Sequence, residues 1–202
     1  MTTPRDLLIV AIDMASSPPP ERGELSLALA GAELIDLLDA QAVTLEGDHI
    51  VPGYRPAIAD RLLEEAASSF ARQAPYESVG DWLWRRGRGL SAAYLAVLEA
   101  EGQLTRGRRR RWGLSRTGQT ELVDSLDRRL AANRWTSGEP ILAVLAAAVG
   151  IDDRRTGNSP SVADDAVATV LAAVHDAVRE LEAERQRRAI EGAAFDNIWR
   201  GE

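Results

Sequence analysis

The 202-residue chain contains no cysteine and no lysine. The first absence removes disulfides, thiolate metal sites and cysteine nucleophiles. The second leaves all 24 positive side chains as arginine, as codon bias in a GC-rich genome would. Every cation is therefore a planar guanidinium that can hold phosphate through a fork of N–H groups. Histidine occurs only as His49 and His175, and neither has a nucleophile or base at catalytic spacing. Gly87-Arg88-Gly89 is a two-glycine turn, not a phosphate-cradling loop. The acid pairs Glu64-Glu65, Asp152-Asp153 and Asp164-Asp165 read as helix surface, loop and helix first turn, where acids favour the dipole. The expectation is a non-enzymatic protein with no catalytic residues, metal site or cofactor. The longest apolar run, 141–149, is too short to cross a bilayer. The apolar stretch between Asp6 and Asp13 is too short for a secretory leader. The expected location is cytoplasmic, or peripheral on the cytoplasmic face of a membrane.

What is present is an ordinary globular balance, 45% hydrophobic and 27% charged, in a chain long enough to bury a core. Charge is divided unevenly. Between residues 85 and 116 stand nine arginines against two acids, Glu99 and Glu101, a local charge of about +7. The whole chain is −7, so the remainder carries about −14. Arg85, Arg86 and Arg88 form one group, and Arg108, Arg109, Arg110 and Arg111 run directly into Trp112. Such a concentration suits a polyanion, the phosphates of a lipid surface or of a nucleic acid. Near an anionic leaflet each charge gains about 1 kcal/mol, and tryptophan favours the interfacial zone. A solvated hairpin tip, with Trp112 packed on the core, is the plain alternative.

Periodicity predicts helices with two short hairpins. Residues 7–12 are apolar and short, and the Ser/Pro stretch 16–23 is loop. Leu27, Ala30, Leu34, Ile35, Leu37 and Leu38 recur at helical spacing as far as Ala40. Residues 43–45 and 49–51 flank Glu46-Gly47-Asp48 as a hairpin. Pro56 is read as the start of a helix carrying Ile58, Leu62, Leu63, Ala66 and Phe70, closed by Pro75. Ser78 to Asp81 reads as a capping box for a short helix through Arg86. Another helix begins at Ser91, buries Tyr94, Leu95, Val97 and Leu98, and stops at Gly102. Residues 104–106 and 111–114 are expected to pair, with the arginines at the tip. Helices follow over 119–133, 139–149 and 162–189. The last buries Val167, Val170, Leu171, Val174 and Val178, then turns to a charge-paired surface. The tail with Phe195, Ile198 and Trp199 docks on the core or meets a partner. The fold class is mainly α, one globular helical domain with two short β-hairpins. Residues 1–150 are its core with the basic hairpin near 104–114, 151–160 a polar linker, and 161–202 a long helix and tail packing on the core.

In order along the chain, Asp6-Leu7-Leu8-Ile9-Val10-Ala11-Ile12-Asp13, a Pro-rich loop and residues 29–37 resemble the opening of the Golgi phosphoprotein 3 (GPP34) family. The hairpin 43–51, Trp82-Leu83, Arg88 leading into Glu101-Gly102-Gln103-Leu104, and Asn133-Arg134-Trp135 are similar to it in order and spacing, so the resemblance covers about residues 6–190. With lysine absent, the chain looks like a bacterial-type member. The resemblance implies a helical fold with a hairpin that meets the membrane and recognition of phosphatidylinositol 4-phosphate. It also implies adaptor work on the cytoplasmic tails of membrane-bound glycosyltransferases. Of the headgroup positions it implies, Arg88 keeps its arginine, while Ala30 and Ser91 stand where others would be and Glu21 stands near the tryptophan's place. Arg85 and Arg86 are the substitutes one turn earlier. The expected partners are an anionic phospholipid or phosphoinositide headgroup, membrane-protein tails and a second copy of the chain.

Nucleic acid ranks second. A helix ending at Gly102, a basic hairpin and then Leu114-Ser115-Arg116-Thr117-Gly118 also resemble the end of a winged-helix domain, whose wing would touch phosphates. Residues 91–101 carry no basic side chain for a groove and end among acids, and the −7 net charge argues the same way.

Overall fold

One helix has almost no polar face. Residues Arg22–Asp39 form α2, in which Ala28, Leu29, Ala30, Ala32, Leu34 and Leu37 are all fully buried. A helix apolar on nearly every side belongs at the centre of a domain. Around it in the computed structural model lie α1 (Thr3–Asp13), α3 (Arg61–Ser68), α4 (Val79–Arg86), α5 (Leu90–Ala100), α7 (Pro140–Ala148) and α8 (Asp165–Trp199), each in contact with α2. The remaining helix, α6 (Leu126–Thr136), packs on α1 and α7. Two antiparallel hairpins complete the order, β1 (Val43–Glu46) with β2 (His49–Pro52) and β3 (Leu104–Arg106) with β4 (Thr120–Leu122). The structure describes residues 2–14, 20–106, 120–151 and 164–199, with side chains for all but Arg106, Thr120 and 193–199. The linker 152–160 and the side chains of Phe195, Ile198 and Trp199 lie outside that description. The fold is mainly α, as composition and periodicity indicate.

Several boundaries differ from the sequence pattern, each for a local reason. Residues 7–11 are five consecutive buried apolar positions inside α1. Period alone cannot assign such a run, and the helix is set by Pro4 in its first turn and by Thr3 N–H donating to Asp36 at 2.8 Å. α3 begins at Arg61, not Pro56, because the Asp60 carboxylate caps it by accepting from Leu62 and Leu63 N–H at 3.0 and 3.1 Å. α4 starts at Val79 under a Ser78 cap, but Asp81 reaches the Ser78 hydroxyl at 2.8 Å, so the reciprocal half of the capping box is not made. The Ser78 backbone is instead bridged to His49, and Val79 N–H donates to Asp48 O at 2.8 Å, which fixes the first hairpin to this helix.

α5 ends as its glycine indicates. Gly102 has φ +71°, and Gln103 N–H returns to Leu98 O at 2.8 Å while Gly102 N–H donates to Glu99 O at 3.0 Å, the paired bonds of a Schellman stop. β3 then pairs with 120–122 in place of 111–114, in the register Leu104↔Leu122 and Arg106↔Thr120. That register turns both leucines to the core, which 111–114 would not have done for Leu122. Residues 120–122, expected within a helix over 119–133, are therefore strand. α6 begins after Ser125, whose hydroxyl accepts Arg128 N–H at 3.2 Å.

α8 crosses α2 at Gly31, where an added Cβ would lie 2.3 Å from Val174 Cγ2. Overpacking of this kind destabilises by about 1–3 kcal/mol, whereas Gly→Ala at an open helical site gains about 1 kcal/mol. Gly31→Ala should therefore lower the urea midpoint. In a Val174→Ala background, which removes the obstructing methyls, it should cost nothing further. A Gly31→Ala variant more stable than the parent would show that the two helices do not meet this closely.

Candidate functional site

The arginine group 85–88 sits at the end of α4 and in the turn leading to α5. Trp82 and Leu83 anchor α4 in the core. Trp82 stacks on Phe70 with ring centroids 4.3 Å apart and donates from Nε1 to Ala30 O at 3.4 Å. That seating directs Arg85 and Arg86 to different surroundings. Arg85 makes a two-bond fork to Glu77, both contacts 2.7 Å, with its guanidinium carbon 5.0 Å from the Trp82 ring centroid. Arg86 turns inward to Glu33, a carboxylate of α2 with no exposed surface, through bonds of 2.7 and 2.8 Å. The same guanidinium donates to Leu62 O of α3 at 2.8 Å, and Tyr94 OH of α5 donates to Glu33 at 2.9 Å.

Burial pushes the Glu33 carboxyl above its usual value, and the Arg86 and Tyr94 contacts pull it part of the way back. Burial opposes the charge on Arg86, but the bond to Glu33 and its negative charge outweigh that effect and hold Arg86 more firmly protonated. The Tyr94 phenol is pushed far up, first by burial and then by the Glu33 charge. Arg86 is thus a buried strut joining α2, α3 and α4. Arg85 is a half-exposed ion pair. To meet a headgroup, either one would have to leave its carboxylate.

Arg88 differs from both. It lies exposed in the turn 87–89 and forms no ion pair with any described residue. Beside this turn, Ser91 N–H donates to Ser26 Oγ at 3.0 Å, Ser26 and Ser91 hydroxyls meet at 2.9 Å, and Ser91 Oγ donates to Arg22 O at 3.2 Å. The start of α5 is therefore stitched to the start of α2. Arg22, the first residue of α2, is also exposed and without an ion pair to a described residue. Sequence reasoning missed Arg22 because nothing in a linear charge count links it to the turn at 87–89. Ala30 and Ser91 are buried, so neither position faces solvent. Glu21 is within 3.6 Å of Arg185 on α8.

Arg108, Arg109, Arg110, Arg111 and Trp112 lie outside the described residues. What the structure does place is the two ends of their segment. The Arg106↔Thr120 register brings residues 106 and 120 together at one edge of the β3–β4 hairpin. Residues 107–119 connect these points with five arginines and no acid. The other acid–arginine clusters hold the frame. Arg134 joins Asp6 and Glu139, and Arg128 joins Asp13. Arg5 lies among Asp60, Glu101 and Asp127. Among the described residues no set of three acids or histidines could hold a metal ion. No helix there is long and apolar enough to cross a membrane.

The sequence matches the Golgi phosphoprotein 3 (GPP34) family model over residues 4–193. The chain belongs to the GPP34 family. No individually curated protein matches it. Within the GPP34 domain, Arg86, Arg128 and Arg134 are neutralised by core or frame acids, whereas Arg22 and Arg88 are exposed and form no ion pair with a described residue. Truncating one partner of a buried ion pair typically costs 3–5 kcal/mol, while an exposed side chain away from such features changes stability by less than about 0.5 kcal/mol. Arg86→Ala should therefore unfold at markedly lower urea than the parent, and Arg88→Ala at the same concentration. Equal and small effects in the two variants would contradict the assignment of Arg86 as a strut.

Proposed function

We propose that this GPP34 domain is a non-enzymatic protein that binds anionic phospholipid at a membrane surface. The observation that carries the reading is the β3–β4 pairing, which returns a five-arginine, acid-free connection to a single edge of the fold. Membership of the family supports the same partner class. Guanidinium forks suit phosphate oxygens, and Trp112 supplies a ring suited to the headgroup level. Arg88 and Arg22, at the joined starts of α5 and α2, provide a second cationic point. Arg85 and Arg86 contribute by holding that corner in shape.

A second reading has one structural point in its favour. α4, a three-residue turn, α5 and the β3–β4 hairpin follow the order of a helix–turn–helix with a wing. The exposed positions of α5 are Ala92, Ala96, Glu99 and Ala100, which offer a nucleic-acid groove no cation. The lipid reading is therefore the stronger.

Co-sedimentation with vesicles across a salt series tests it. The intact chain should pellet with phosphatidylglycerol vesicles at low salt, be released as salt rises, and ignore phosphatidylcholine. At about 1 kcal/mol per charge, replacing Arg108–Arg111 by alanine should weaken binding by about three orders of magnitude. Phosphatidylinositol 4-phosphate vesicles report any contribution of Arg88 through the Arg88→Ala variant. Failure to pellet with every acidic vesicle at low salt, with retention on duplex DNA, would overturn the proposal.

A further inference from the structure

We infer that the cavity between α1, α3, α5 and α6 binds a small organic ammonium ion with an apolar body. The cavity has a volume of about 720 Å³, within the range that small-molecule sites occupy. One wall is apolar and open to a ligand, because Ile58 and Val97 are only half-buried and Leu130 is 42% exposed. Leu62 and Leu63, both buried, stand behind it.

The opposing charge is placed by local rules. Asp60 is present because it caps α3, Glu101 because α5 stops there ahead of Gly102, and Asp127 because it lies in the first turn of α6. All three approach one cation, Arg5 of α1. Its Nε is 2.9 Å from Asp60, its NH2 bonds Glu101, and its NH1 is 3.9 Å from Asp127. The other arginine of the wall, Arg61, is drawn to Glu65 on the next turn of α3 at 2.7 Å. Three carboxylates therefore share one guanidinium, and the cavity keeps an excess of two negative charges. Asp127 is the most weakly matched of the three.

This chemistry selects the occupant. Among the described residues no three acids or histidines are placed to hold a metal ion, so the carboxylates suit an extended organic cation. Thr2 Oγ1 at the cavity wall is buried without a hydrogen-bond partner, and a buried polar atom of that kind calls for a ligand group or a water. An ammonium group carries three donors and no acceptor, which fits carboxylate oxygens and a hydroxyl lone pair. An apolar body would cover Ile58, Val97 and Leu130. An anion would meet like charge, and an uncharged apolar ligand would desolvate the carboxylates without compensation. No part of the argument draws on residues 85–88 or 107–119, so it stands independently of the lipid reading.

A matched ligand series tests the inference by isothermal titration calorimetry of the full chain at low salt. Phenylbutylamine should bind, phenylbutanol about tenfold more weakly, and phenylbutyrate and butylamine not measurably. The methyl resonances of Ile58, Val97 and Leu130 should move with the amine, while those of Ile9 and Val10 in the core stay fixed. Asp127→Asn should lower affinity for the amine about tenfold and leave that for the alcohol unchanged, a split that a merely loosened fold would not produce. Leu130→Ala should weaken amine and alcohol alike. Equal affinity for amine and alcohol, preference for the carboxylate, or no binding by any member of the series overturns the inference. Amine binding that moves resonances only outside the cavity overturns it as well.

Discussion

The ion pair between Glu33 and Arg86 is the constraint around which the rest of the structure is arranged. Glu33 sits in the middle of α2, the most deeply buried helix, where an unpaired carboxylate would be costly. Both of its oxygens are engaged by Arg86, and Tyr94 adds a third bond. Arg86 continues to Leu62 O. One charge pair therefore fixes α3, α4 and α5 against α2 in a relation that apolar packing alone would specify less sharply. The turn bearing Arg88 and the seam between Ser26 and Ser91 owe their position to the same lock.

Around this centre the acids and arginines outside the 85–116 stretch are largely spent on one another. Arg5, Arg128, Arg134 and Arg185 link distant parts of the chain through Asp60, Asp13, Asp6 and Glu24. These pairs are partly buried, with Asp6 fully so, and they remove cations from competition for an external anion. What remains uncommitted among the described cations includes Arg22 and Arg88, close to the joined starts of α2 and α5. Between β3 and β4 the sequence of residues 107–119 contains five further arginines and no acid. Arginine is thus concentrated locally in the sequence of a protein whose net charge is −7.

Much of this was legible in the sequence. The periodicity of α2, the β1–β2 hairpin, the Ser78 cap and the stop at Gly102 all follow local rules that tertiary structure did not override. Where the reading differed, a longer-range partner decided the outcome. β4 took 120–122 because Leu122 had to reach the core opposite Leu104. α3 started at the Asp60 cap and not at the permissive Pro56. The family resemblance, carried by an ordered set of weak similarities, holds over nearly the whole chain. The roles within the basic group were not legible, because a charge count treats Arg85, Arg86 and Arg88 alike and only burial beside Glu33 separates them. The meeting of residues 22 and 91 depends on helix packing that no local pattern encodes.

The central proposal is that the arginine-bearing residues 107–119 and the α4–α5 turn meet anionic lipid. Hydrogen exchange of the full chain, with and without phosphatidylglycerol vesicles, tests it most directly. Slowed exchange confined to peptides covering 87–92 and 104–126, with 43–52 and 61–68 unchanged, is the result this account predicts. Protection of 43–68 with none across 104–126 would contradict it.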